Sequence, residues 1–251
     1  MVPQYVNNLD ITAYGAEGGT ATTHDHAAGL GAKISGYFTV IGGEVLHIIV
    51  GEKPDDQWNG GGGGSFVVIP DANGGIPEAI VVAGGGGGSG RVADSTDKHG
   101  QTSPEGGNGA NNGSSGGIDG NGGNGDGSEN HASSGGGLLT NGAESFDTTD
   151  TGGSAFINGG AGGLRDNVGS PSRGGFGGGG SGSGTFAGGG GGGYSGGGGG
   201  GGGGGVGGGG GSFASTRVQG APETASGVRT GHGEIKICLV RCFASNNEVP
   251  C

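Results

Sequence analysis

Large apolar side chains are scarce in this sequence. Hydrophobic residues fill 29% of 251 positions and aromatics 5%, against roughly 45–50% apolar in an ordinary domain. One core spanning the whole chain is excluded, because too little side chain is available to bury. Long apolar runs are missing as well: residues 45–50 and 79–83 are the longest, far below the about 18 residues of a membrane span. Basic residues number 10 against 22 acidic, for a net charge of −12. That balance argues against nucleic acid, since no basic patch is present to neutralise phosphate. Proline is limited to 8 residues, and glycine follows no chain-wide third-residue repeat, so a collagen helix is excluded. Three cysteines, Cys238, Cys242 and Cys251, are too few for a disulfide scaffold. Their odd number leaves two readings, a partner cysteine elsewhere or three reduced thiols. Residues 1–10 show no basic segment followed by an apolar core, so no signal peptide is visible. A mature chain whose signal was removed and export by another route both fit.

What the sequence has is glycine, 78 residues of it. Each glycine in a helix costs about 1 kcal/mol relative to alanine, so helices are disfavoured. Six short strand signals stand between glycine-rich turns: residues 9–14 (LDITAY), 32–40 (AKISGYFTV), 44–50 (EVLHIIV), 65–69 (SFVVI), 79–83 (AIVVA) and 233–240 (GEIKICLV). Gly42-Gly43 reads as a hairpin turn, because glycine permits the positive φ such turns demand. Short strands without helical periodicity predict an all-β sandwich or barrel.

Residues 84–211 interrupt this pattern. Glycine, asparagine, serine and aspartate dominate residues 89–172, and residues 174–211 are nearly pure glycine, with an unbroken run over 196–205. Composition alone suggests a disordered linker. Flanking strands suggest instead a long insertion within one domain. The ordered form open to such a chain is a bundle of extended threefold helices, three residues per turn and a rise of about 3.1 Å each. Side-chain-free helices can approach closely and bond laterally through their backbones. Residues 196–205 would make a rod of roughly 31 Å. A backbone hydrogen bond contributes only about 1 kcal/mol net, close to the cost of ordering one residue, so the bundle needs anchoring to a true core. Phe176, Phe186 and Tyr194 are either those anchors or scattered spacers.

Chemistry has little to hold. Matches to G-x-G-x-x-G arise by chance at this glycine content, none opens a helix, and no phosphate loop with its lysine occurs. His24 and His26 flank Asp25 without a third ligand, which favours a solvated loop over a metal site. Residues 119–129 (DGNGGNGDGSE) are rich in oxygen donors, but fit neither the EF-hand spacing nor the nonapeptide calcium repeat. The expectation is no cofactor, with calcium at Asp119 and Asp126 as the alternative. Glu44, Asp55 and Asp56 lie near strand ends without a paired-carboxylate geometry. No catalytic residue is identified. Asn112-Gly113-Ser114 is a glycosylation sequon, relevant if the chain is secreted by a eukaryote.

Residues 11–19 (ITAYGAEGG), 44–51 (EVLHIIVG), 58–67 (WNGGGGGSFV), 79–88 (AIVVAGGGGG), 173–180 (RGGFGGGG), 188–196 (GGGGGGYSG) and 231–237 (GHGEIKI) occur in an order that resembles the glycine-rich extracellular domain of the anaplastic lymphoma kinase and leukocyte tyrosine kinase receptors. The resemblance implies a tumour-necrosis-factor-like β-sandwich over 1–83 plus 212–240. It implies an insertion over 84–211 forming a polyglycine-II helix bundle. Cys238, Cys242 and Cys251 would open an EGF-like segment, cut short over 241–251. The chain has no kinase, and its glycine-rich part carries no cysteine, so the fold carries over better than the signalling role.

The expected function is a non-catalytic extracellular or cell-surface module that binds a protein. Glu44, Asp55, Asp56 and Glu78 would meet a basic ligand, steered by the negative field. The alternative is a self-associating structural protein, a filament subunit, matrix component or adhesin, joined through a flat polyglycine face or a spare strand edge. Ice binding by a flat glycine surface is a third idea.

Overall fold

A computed structural model describes residues 1–22, 25–55, 58–125, 131–145, 150–165, 172–183 and 186–240. The described residues are all-β apart from two single 3-10 turns, Thr96–Lys98 and Phe156–Asn158. Eight strands are present among the described residues: β1 (Asn8–Tyr14), β2 (Gly31–Thr39), β3 (His47–Ile49), β4 (Ser65–Ile69), β5 (Glu78–Ala83), β6 (Phe213–Ala214), β7 (Glu223–Arg229) and β8 (Glu234–Val240). All six expected strands are there, with the third cut to three residues. The sequence reading missed β6 and β7. Glycine and polar residues interrupt β7 (ETASGVR), and its inward positions are only half-buried.

The strands form two four-stranded antiparallel sheets, ordered β7-β2-β1-β8 and β3-β4-β5-β6. Alternation along β1 explains their packing. Leu9, Ile11 and Ala13 point inward and are buried, joining Ile34, Phe38, Val67, Val81 and Ala83 in the core between the sheets. The second sheet is buried on its other face too. There Phe66, Val68, Ala79 and Val82 meet Leu138, Leu139, Phe156 and Tyr194, all from the glycine-rich segment. Two covered faces account for the unbroken apolar runs of β4 and β5. Tyr194 is thus an anchor. Phe176 and Phe186 are not: they are 38% and 41% exposed, and Leu138, Leu139 and Phe156 do the anchoring instead.

The glycine segments have a hydrogen-bond period of three. Gly188, Gly191 and Tyr194 donate to the carbonyls of Gly205, Gly208 and Gly211; Gly189 and Gly192 to Asn59 and Gly62; Gly190 and Gly193 to Ser133 and Gly136, all at 2.8–3.3 Å. Each amide turns to one of three neighbours in rotation, and three residues of donor advance match three of acceptor. The rotation recurs at Gly197 and Gly200, which donate to Gly191 and Gly188, and at Gly198 and Gly201, which donate to Gly107 and Ala110. Contacts are so close that a Cβ on Gly197 would strike the carbonyl of Gly208, and one on Gly208 that of Gly107.

These rods continue the strands. β5 passes at Gly84 into a segment in which Gly85 and Gly88 donate to Gly192 and Gly189, and Gly86 and Ser89 to Ala16 and Gly19. β1 runs in the same way into residues 15–19, where Ala16 and Gly19 donate to Gly63 and Gly60. One backbone therefore changes from a period of two to a period of three where side chains stop. Buried serine hydroxyls bridge neighbouring segments. Ser134 Oγ accepts the Gly199 amide at 3.1 Å and donates to the Asn124 carbonyl at 2.7 Å. Ser65 Oγ does the same between Gly51, at 3.0 Å, and Tyr14, at 2.6 Å.

The outermost rods carry their larger residues outward at every third position. Glu105, Asn108 and Asn111 are exposed, as are Asn112, Ser115 and Ile118, and Ala161 and Leu164. Glycine therefore does recur with a period of three locally, as in residues 158–164 (NGGAGGL), a repeat that is diluted in the sequence as a whole.

Candidate functional site

Glu44, half-buried, and Glu78, exposed, both expected to meet a basic ligand, share one arginine at the surface. Arg217 forms a fork with Glu78, Nε to Oε1 and Nη2 to Oε2, both at 2.7 Å, while Nη1 reaches Glu44 Oε1 at 3.0 Å. Glu44 also accepts the Ile41 amide at 2.8 Å. Hydrogen bonding to Glu78 raises the Arg217 pKa above its ordinary value against the effect of burial, with Glu44 adding to the rise. Asp55 is exposed and apart from this triad. Asp56 lies outside the described residues.

The other candidates are dispersed. Cys238 lies half-buried on β8 opposite Asp10 of β1, as a free thiol. Cys242 and Cys251 lie outside the described residues. Asn112 is exposed at a rod turn, with a φ of 55° that asparagine tolerates. Asp119 holds a similar turn with a φ of 54°, and Asp126 lies outside the described residues. His26 Nδ1 is 3.9 Å from Asp94 Oδ2, and His24 lies outside. Among the described residues no three histidine, cysteine, aspartate or glutamate side chains converge on one point. No helix among them is long and apolar enough to cross a membrane.

A groove of about 730 Å³ opens where the second sheet meets the glycine body. Its walls are β3, the β4–β5 connection at Pro70, Asp71 and Pro77, and the turn Phe156–Asn158. Ile49 and Phe156 pack into the core beneath it, the Phe156 ring 5.2 Å from that of Phe66. Ile48 is 47% and Ile157 50% exposed at its side. The exposure follows from topology, since β3 is the edge of its sheet. The pairing of β3 with β4 stops at Ile49. Beyond it the Gly51 amide turns to Ser65 Oγ, and the Gly51 carbonyl accepts from Gly233 at 2.8 Å. Lys53 donates to His232 Nδ1 at 3.0 Å alongside. Sequence reasoning does not single out Phe156 or Ile157. The signal available was the triplet Ala155-Phe156-Ile157 inside a run otherwise poor in side chains.

A second, polar hollow of about 320 Å³ lies on the outer face of the first sheet, lined by Asp10, Lys33, Tyr37 and Glu223 among others. Lys33 Nζ and Glu223 Oε2 close to 2.9 Å across it. Their hydrogen bond raises the lysine pKa and lowers that of the glutamate. No protein-family model matches the chain, and no curated protein matches it.

Proposed function

We propose that the chain is a non-catalytic extracellular module that binds a polypeptide along the β3 groove. In this reading its strands form a tumour-necrosis-factor-like sandwich and its rods a bundle of polyglycine-II helices. The observation that carries the binding role is the edge itself: Ile48 and Val50, 47% and 43% exposed, beside a groove underlain by Ile49 and Phe156. An extended peptide can add to such an edge through main-chain hydrogen bonds, with alternate side chains seated in the groove. A net charge of −12 favours a basic peptide. Arg217 already engages both Glu44 and Glu78 and offsets one of their two charges, so the main contact is read at the groove. The extracellular placement rests on the receptor-like order of residues 11–19, 44–51 and 231–237. The rotation of amides among three neighbours supports the polyglycine-II assignment.

The test is capture of an alternating valine–lysine peptide, with amide exchange used to locate it. Binding that slows exchange at residues 45–50 and is lost in Ile48→Asp is the expected result. Binding that leaves those amides unchanged, or survives Ile48→Asp, sinks the groove.

A second reading, association of copies edge to edge, draws on β8. This seven-residue strand lies at the other sheet's edge, with Leu239 45% exposed. Polymers that dissociate on Leu239→Lys substitution would favour it.

A further inference from the structure

We propose that the side chains on the outer rods terminate the glycine body, preventing it from adding a second copy of the chain sideways. A polyglycine rod has no intrinsic last layer, because its amides radiate in three directions and bond any similar rod. Interior rods use all three directions, as residues 188–194 do. Among the described residues the outer rods lack the third neighbour. Among the described residues the amides of Asn108, Ser115 and Ile118 have no acceptor. Ser115 and Ile118 stand three residues apart on one rod, about 9.3 Å at a rise of about 3.1 Å, and Asn108 stands on the antiparallel rod beside them, where its Oδ1 accepts the Gly116 amide. This row is the counterpart of an open sheet edge, and its natural complement is another such rod.

Two features close it. One is steric. Interior contacts leave no space for a Cβ, as Gly197 and Gly208 show, so any side chain at the outward position holds a new rod off. The other is chemical. Asparagine side chains beside the row take up neighbouring polar groups that a new rod would otherwise meet, though not the three amides themselves. Asn108 Oδ1 accepts the Gly116 amide at 3.0 Å. Asn124 Nδ2 donates to Ser115 Oγ at 3.0 Å, and Asn121 Nδ2 to the Ile118 carbonyl at 2.9 Å. Asn141 Oδ1 accepts the Ala155 amide at 2.9 Å and the Asn158 side chain at 2.8 Å. Among the described residues, the glycines of 174–211 other than Gly202 and Gly203 are accordingly buried.

The experiment compares two triple variants of the full chain with the wild type by sedimentation velocity at matched concentration. Asn108→Gly/Ser115→Gly/Ile118→Gly opens the row; Asn108→Ala/Ser115→Ala/Ile118→Ala removes polarity but keeps each Cβ. The glycine variant is expected to sediment with roughly doubled mass or more, and the alanine variant like the wild type. Slow exchange of the Gly191 amide certifies that the interior is intact. Should either triple lose it, the same comparison is made with Asn124→Gly and Asn124→Ala on the adjoining rod. A glycine variant that sediments like the wild type with its interior intact overturns the proposal. So does an alanine variant that associates equally well.

Discussion

Tyr194 lies flat on Phe213, ring centroids 4.4 Å apart and planes 12° from parallel. Tyr194 ends an interior rod, and Phe213 opens β6 at the edge of the second sheet. The Tyr194 amide donates to the Gly211 carbonyl at 2.8 Å, so ring and backbone fasten the same two segments. Removing the ring in Tyr194→Ala is expected to cost roughly 2–4 kcal/mol, slightly under the cost for a fully buried aromatic. Tyr194→Phe is expected to cost less than about 1 kcal/mol, since the stacked face is kept. Urea unfolding of both variants measures the difference.

Glycine substitutions separate crowding from backbone conformation. Gly197→Ala drives a Cβ into the Gly208 carbonyl in the middle of the rods. A loss above about 3 kcal/mol is expected, because backbone on both sides must move. Gly220→Ala meets nothing within 4 Å but must adopt a φ of 82°, which costs about 1–2 kcal/mol. Equal losses in thermal unfolding would show that the rods are looser than their hydrogen bonds imply.

Arg217 ties the residues before β3 to β5. Arg217→Ala leaves Glu44 and Glu78 facing each other without a cation, for an expected loss of roughly 1–3 kcal/mol. Arg217→Lys keeps the charge but loses the fork to Glu78, so it is expected to restore less than half of that. Chemical denaturation of the two variants decides the matter. An Arg217→Ala chain as stable as the wild type would mark the triad as ornamental.

His99 makes stability depend on pH. Its Nδ1 accepts the Leu30 amide at 3.0 Å, which requires the neutral ring. Burial, and then the neighbouring Lys98 charge, hold its pKa below the ordinary 6.5, against an opposing pull from Asp94. The folded state therefore binds the proton less readily than the unfolded chain. This contribution is complete above pH 6.5 and is lost as the pH falls below that value through the folded pKa. His99→Asn keeps an acceptor without the titration. Its stability is expected to fall less than the wild type's between about pH 7.5 and about pH 5.5.

The strands were legible because period-two patterning and glycine stops mark them without reference to anything distant; β1 and β2 are found almost to the residue. β6 and β7 were not, because Phe213-Ala214 is too short to show a period and β7 is half-exposed. The period-three hydrogen bonding of the glycine segments was not legible in its partners, since one glycine reads like the next. Which amide of Gly188, Gly189 or Gly190 faces which rod is set by packing. The groove was hidden for a related reason. Ile48 reads as part of a strong strand, and only sheet order puts that strand at an edge. Glu44 and Glu78 looked available because Arg217 stands 139 residues from Glu78 in the chain.

The interior rods exclude water with peptide groups where the sandwich excludes it with hydrocarbon. Exposing hydrocarbon on melting raises the heat capacity, whereas exposing amides lowers it. The two parts of the chain therefore contribute with opposite sign to the heat capacity of unfolding, the apolar core of the sandwich raising it and the amides of the rods lowering it. Cooling weakens the grip of Phe38 and Ile80 on their surroundings. It takes little directly from the hydrogen-bonded array around Gly191.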